Sequence, residues 1–191
     1  MTVLEIASIG HPILRRPTIT VTPEDLAGAE CQSFIDSLVE TMRSANGAGI
    51  AANQVHDPRR ICAIEVRPDN PRYPYKPPQP LTILVNPRFV WTSEDIYRNN
   101  EGCLSVPDLR GDLMRPRQAV VQALDRTGVE VEHHFQGLTA GTAQHELDHL
   151  DGMIFVDRVT DTRTLSTWGQ FDEHRRAQFE QYIEQVVKET T

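Results

Sequence analysis

The chain has no long hydrophobic run, few cysteines and no excess of positive charge, and each shortage excludes something. No stretch approaches the roughly 20 consecutive apolar residues that a membrane-spanning helix requires, so no membrane partner is expected. Met1-Thr2-Val3-Leu4-Glu5 lacks a basic segment followed by an apolar one, so no secretory signal is expected either. Cys31, Cys62 and Cys103 are too few for a disulfide framework, and their odd number fits a reducing, cytoplasmic setting. Lysine and arginine number 19 against 27 aspartates and glutamates, for a formal net charge of -8. That balance disfavours a broad grip on nucleic acid or anionic membrane. Internal repeats and long charge blocks are also missing. What is present is an ordinary globular composition, 39% apolar and 24% charged over 191 residues, enough for one domain with one core.

Periodicity sets out the elements. Thr22-Pro23-Glu24-Asp25 reads as a helix start, with Thr22 as N-cap, Pro23 at the first helical position and acids in the first turn. Phe34, Ile35, Leu38, Val39 and Met42 continue at helical spacing, and this helix should end near Asn46-Gly47. Residues 61–66 and Leu81 to Val85 read as strands. The six prolines of residues 68–80 exclude a regular helix or central strand. They point to a surface loop, a tolerated insertion with no assigned task. Ala119 to Leu124 and Val129 to Phe135 form a hairpin around Asp125-Arg126-Thr127-Gly128, with Val129, Val131, His133 and Phe135 on one face. A helix should cover about Leu138 to Leu150, and a C-terminal amphipathic helix about residues 164–188. The fold class is α+β: a single domain, residues 1–191, with antiparallel strands around a central helix flanked by an N-terminal and a C-terminal helix.

Three short segments carry chemistry. His145-Glu146-Leu147-Asp148-His149 is an H-E-x-x-H pattern. On a helix, positions i and i+4 share a face, so both imidazoles can reach one metal ion, and Glu146 can approach a water there without being a ligand. Two ligands do not close a site, which usually takes three protein groups and keeps one open position. Cys103, in Glu101-Gly102-Cys103-Leu104-Ser105, is one candidate for the third; Asp151 and Asp157 are others. The longer metalloprotease pattern fails, because Phe155 stands where its third histidine belongs. Gly47-Ala48-Gly49-Ile50-Ala51-Ala52-Asn53-Gln54 is the remaining segment. Its glycines permit a tight turn or a close approach to a ligand, and Gln54 offers an amide donor.

Together these segments resemble the motifs of the peptide deformylases: G-x-G-x-A-A-x-Q at residues 47–54, E-G-C-x-S at 101–105 and H-E-x-x-H at 145–149, in the family's order. Ile9-Gly10-His11-Pro12-Ile13-Leu14-Arg15, Val85-Asn86-Pro87 and the run from Gln144 to Gly152 are similar to it as well, so the likeness spans about residues 3–160. It implies a metallohydrolase that takes the N-formyl group from the first methionine of nascent polypeptides and releases formate. It makes Cys103, His145 and His149 the ligands of one divalent metal. Ferrous iron is the family's metal, replaceable by zinc, nickel or cobalt; the ligand set alone points to zinc.

The same likeness makes Glu146 the general base and acid. The Gln54 amide and the Leu104 backbone N–H face the formyl oxygen, and the Gly49 backbone pairs with the peptide as an added strand. Glu101 and Arg115 brace the ligands, Glu101 also counting toward the substrate site, and Asp148 joins that network. Ala48, Leu138, Gly141 and Thr142 line the methionine pocket. Relatives carry larger aliphatic residues or an arginine at some of these positions, so a wider or more polar pocket with relaxed selectivity is expected. The family also implies the ribosome as a partner, through the C-terminal region. Here Arg175, Arg176 and Lys188 are offset by Asp172, Glu173, Glu180, Glu184 and Glu189, which argues against docking by charge. The rival readings are a zincin-like protease with no role for Cys103, a metal- or peptide-binding module without activity, and a structural zinc site.

Overall fold

The computed structural model describes residues 2–188, with side chains through Val186. Thr22 caps the first helix as expected, its hydroxyl accepting from the Asp25 N–H. The single expected helix is two, α1 (Pro23–Ala27) and α2 (Ala29–Ser44). Gly28 between them is extended, at φ -70 and ψ 142, ending the first and opening the second. α2 buries Ile35, Leu38, Val39 and Met42 on one face, as its spacing predicts.

Five strands form one antiparallel sheet: β1 (Gly49–Ala51), β2 (Ile61–Val66), β3 (Gln79–Thr92), β6 (Gln118–Leu124) and β7 (Glu130–Gln136), in the order β1-β2-β3-β6-β7. β6 and β7 are the expected hairpin, closed by the Asp125 N–H donating to Val129 O at 2.8 Å. Alternation along β2 sends Ile61 and Ala63 to one face, against α2, and Cys62 and Ile64 to the other. That second face receives α3 (Gly137–Leu150) through Ala140, Ala143, Leu147 and Leu150. The sheet is therefore held between two helices, and each fully buried leucine or isoleucine contributes roughly 1.5–3 kcal/mol.

A separate hairpin, β4 (Ile96–Cys103) with β5 (Val106–Pro116), is absent from the sequence reading. The physical reason lies in its side chains. Asn99, Asn100, Glu101, Arg110 and Arg115 are buried and polar, so no apolar alternation marks these strands. The C-terminal helix is also two, α4 (Trp168–His174) and α5 (Arg176–Lys188), parted at Arg175. The Arg175 guanidinium there donates to Thr164 O at 2.6 Å and to Asp112 at 2.8 Å. Residues 67–78 form no helix or strand, in keeping with their prolines. They are not a bare surface insertion, because Asn70 and Tyr73 are buried and Asn70 donates to the carbonyls of Asn46 and Gly47. Among the described residues no helix is long and apolar enough to cross a membrane.

Candidate metal centre

α3 starts directly from β7 because Gly137, at φ +52, turns the chain without a linker. Most of the helix is buried, including its polar side chains Gln144, Glu146, Asp148 and His149. A helix buried on nearly every side has to give each polar group a partner or a task.

Cys103, His145 and His149 meet at one point. Their ligand atoms all lie within 4.8 Å of one another. Cys103 Sγ is 3.1 Å from His149 Nε2, which is 3.2 Å from His145 Nε2. These separations are close to the edges of a tetrahedron around an ion at ordinary Zn–N and Zn–S bond lengths. Cys103 ends β4, just before the turn into β5, and its sulfur accepts from the Ser105 N–H at 3.3 Å. Burial alone would push the Cys103 thiol up, but the imidazoles of His149 and His145 prevail and hold it well below the ordinary thiol range. A thiolate is the ligand form. Donor set, spacing and ionisation all fit a divalent metal. Asp151 and Asp157 are engaged elsewhere, Asp151 with Arg60 and Asp157 with Arg15. Phe155 stacks on the His145 ring.

Behind the ligands runs a buried ionic chain. His145 Nδ1 donates to Glu101 at 2.8 Å, which fixes its other nitrogen as the one facing the metal position. Arg115 grips Glu101 with two bonds of 2.9 Å and reaches Asp148 at 2.7 Å. Asp148 also accepts from Arg158. Burial works against the charge on Glu101, yet Arg115 and His145 hold its carboxyl well below the usual range. Glu101, Arg115 and Asp148 thus form one hydrogen-bonded chain behind His145. Arg158 was not foreseen; nothing in its sequence context distinguishes it from a surface arginine.

Glu146 lies beside this group without joining it. Its Oε2 is buried with no hydrogen-bond partner. Burial pushes its carboxyl up to about 7, against the pull of His145 and His149. A methyl on Gly49 would overlap the Glu146 carboxylate, so only glycine lets β1 pass this close. β1 is also an end strand of the five-stranded sheet. Its outer edge offers backbone groups to an extended peptide. Gln54 sits in the 3-10 turn Ala52–Val55. Its carbonyl accepts from the Ala51 N–H at 2.9 Å, and its amide is 3.1 Å from Ser105 Oγ and 3.5 Å from Cys103 Sγ.

Gly49, Gln54, Leu104, Ala48, Glu101, Gly141 and Thr142 all line the same cleft with Cys103, His145 and Glu146. Leu138 does not. It faces Tyr97, Phe171, Phe179 and Ile183, where α4 and α5 pack. Gly141 does not widen the cleft either, because the Tyr97 hydroxyl and Asn99 occupy the space that a side chain would fill. Asn99, Asn100, Tyr73 and Lys76 also line the cleft and were not anticipated.

Fold and site together define an α+β protein with a Cys-His-His metal-binding group. The polypeptide deformylase family profile matches residues 3–164. The chain is 39% identical over 172 residues to peptide deformylase 1 of Prochlorococcus marinus, covering 90% of this chain and 88% of that one. Two solved structures of the class I type b peptide deformylase from Acinetobacter baumannii superpose well. One, bound to Met-Ala-Ser, has a TM-score of 0.80 at 39% identity, covering 83% of this chain and 99% of the other. The second, bound to the compound K4U, has a TM-score of 0.81 at 38% identity, covering 84% and 100%. The chain belongs to the polypeptide deformylase family, a family of enzymes.

Proposed function

We propose that this chain removes the N-formyl group from the first methionine of nascent polypeptides, in the cytoplasm. The observation that carries the reading is Glu146, a buried carboxylate with an unpartnered oxygen beside a thiolate and two imidazoles. A divalent ion held by Cys103, His145 and His149 supplies Lewis acidity toward a carbonyl oxygen and a water. Ferrous iron is the metal on the family likeness, with zinc, nickel or cobalt as replacements, whereas the ligand chemistry by itself favours zinc.

The chain's own residues do the rest. The β1 edge at Gly49 holds the peptide extended, with its formyl group toward Glu146. The Gln54 amide, kept in orientation by the Ala51 N–H, and the Leu104 backbone N–H are donors for the oxygen that gains negative charge. Glu146 takes a proton from the attacking water as the new C–O bond forms at the formyl carbon. It returns that proton to the departing amine nitrogen as the C–N bond breaks, giving formate and a free N-terminus. A carboxyl near 7 suits both roles at neutral pH. The relative that binds Met-Ala-Ser supports a peptide of this kind as the product here too.

The test is formate release from formyl-Met-Ala-Ser by anaerobically purified, ferrous-loaded protein, beside Glu146→Ala. Turnover by the parent and a loss of several orders of magnitude in the variant, with metal still bound, would support the reading. A folded, metal-loaded parent that releases no formate would overturn it.

A further inference from the structure

Ser105 is fully buried in the turn between β4 and β5, two residues after Cys103. A hydroxyl taken from water costs free energy unless it is bonded. This one accepts from the Gln54 side-chain amide at 3.1 Å. The Ser105 backbone is engaged as well. Its N–H donates to Cys103 Sγ at 3.3 Å, and its carbonyl accepts from the Ile9 N–H at 2.6 Å. Two residues before Ile9, the Ala7 N–H donates to the Gln54 carbonyl at 2.8 Å. One short N-terminal segment thus ties the Gln54 turn to the β4-β5 turn. The two turns belong to different scaffolds, since Gln54 follows β1 of the five-stranded sheet and Ser105 lies in the separate hairpin.

A side-chain amide carries two N–H donors and a carbonyl. The Gln54 carbonyl accepts from the Ala51 N–H at 2.9 Å, which turns its nitrogen toward the ligands. One N–H goes to the Ser105 hydroxyl. The other faces Cys103 Sγ at 3.5 Å, a long and weak contact. That second N–H is directed at the metal position and is the one available to an oxygen gaining charge there. The Ala51 bond alone leaves the amide plane able to tilt about the last side-chain bond. The Ser105 bond fixes the tilt.

We infer that Ser105 is a positioning residue for the reaction: its hydroxyl aims the Gln54 N–H at the developing oxyanion, and the Ala7–Ile9 segment holds the two turns in register. The inference rests on the deformylase reading, with Gln54 as a donor. Ser105 does not line the cleft, so it acts through Gln54 and its effect disappears once that amide is gone. A serine that merely supported the fold would do the same damage with or without Gln54.

The experiment measures kcat, KM and bound metal with formyl-Met-Ala-Ser for the metal-loaded parent, Ser105→Ala and Ile9→Pro, each also in a Gln54→Ala background. Ile9 is 48% exposed, so Ile9→Pro chiefly removes the N–H that holds Ser105; Ile9→Ala keeps it and should match the parent. In the parent background Ser105→Ala and Ile9→Pro should each lower kcat by about tenfold or more, part of the roughly 10²–10³ that a whole oxyanion donor supplies. KM and metal content should change little. In the Gln54→Ala background each should change kcat by less than about threefold, because the sites are coupled. Equal losses in both backgrounds, no loss with Ser105→Ala, or a fall in metal content that accounts for the fall in kcat would overturn the assignment while leaving the deformylase reading intact. If Ser105→Ala does not fold, Ile9→Pro decides by the same comparison. No formate from the parent would overturn both.

Discussion

Glu101 shows how much one carboxylate can hold. It accepts two bonds from Arg115 and one from His145, all buried. Glu101→Ala leaves the Arg115 charge facing a void on that side, although Asp148 remains. The expected cost is about 3–5 kcal/mol of stability, read from urea unfolding. A looser His145 should also weaken metal binding by about 10–100-fold, measured by competition with a chelating dye. Glu65 is the partly buried counterpart. The guanidinium of Arg43 bonds both of its oxygens at 2.7 Å and lowers its pKa. Arg43 is partly in water, so Glu65→Gln should cost only about 0.5–1 kcal/mol at neutral pH. The folded-state pKa is depressed, so this contribution is complete above the ordinary glutamate range. It is lost as pH falls through the lowered value. The parent and Glu65→Gln should therefore converge in urea midpoint toward pH 3.

At the scale of elements, two short pieces set the geometry. β1 is three residues long, yet it borders the cleft, presents a free edge and passes close against Glu146. Gly49→Ala should displace the Glu146 carboxylate and lower kcat far more than it lowers the melting temperature, since β1 keeps its pairing with β2. Loss of kcat without a change in metal content would locate the damage at Glu146. The start of α1 offers a plainer case. Thr22→Ala removes the acceptor for the Asp25 N–H and should cost about 1 kcal/mol with activity unchanged. A larger loss would mean that α1 contributes more to the core than its one buried residue, Leu26, accounts for.

For the whole molecule, the metal position joins parts that fold on different scaffolds. Cys103 ends the β4-β5 hairpin, while His145 and His149 belong to the helix packed on the five-stranded sheet. An ion that binds all three only when folded stabilises both units against separation. With free metal at about 100 times its dissociation constant, that linkage amounts to roughly 2.7 kcal/mol. Chelation should lower the melting temperature by several degrees and metal should restore it. Cys103→Ser should shrink that difference. A melting temperature indifferent to chelation in a protein of proven metal content would mean that the unfolded chain binds the ion equally well.

Local patterns in the sequence determined a good deal. The spacing of His145, Glu146 and His149 dictates one helical face, because a helix repeats every 3.6 residues wherever it lies. The Thr22 cap, the apolar face of α2 and the β6-β7 hairpin are local in the same way, each specified within a dozen or so residues. Motif likeness added Cys103, Gln54 and Gly49, which meet His145 and Glu146 in one cleft. Tertiary structure alone decided the rest. β4 and β5 carry buried polar side chains that satisfy one another across strands, so their burial leaves no hydrophobic alternation to read. Leu138 lies on the same helix as the ligands, but helical phase turns it toward α4 and α5. Lys76 and Tyr73 enter the cleft because Asn70 ties their loop to the Asn46-Gly47 carbonyls, a contact between residues more than twenty apart in the chain. No pattern along the sequence encodes it, because it exists only once the sheet has brought both segments to the same end of β2.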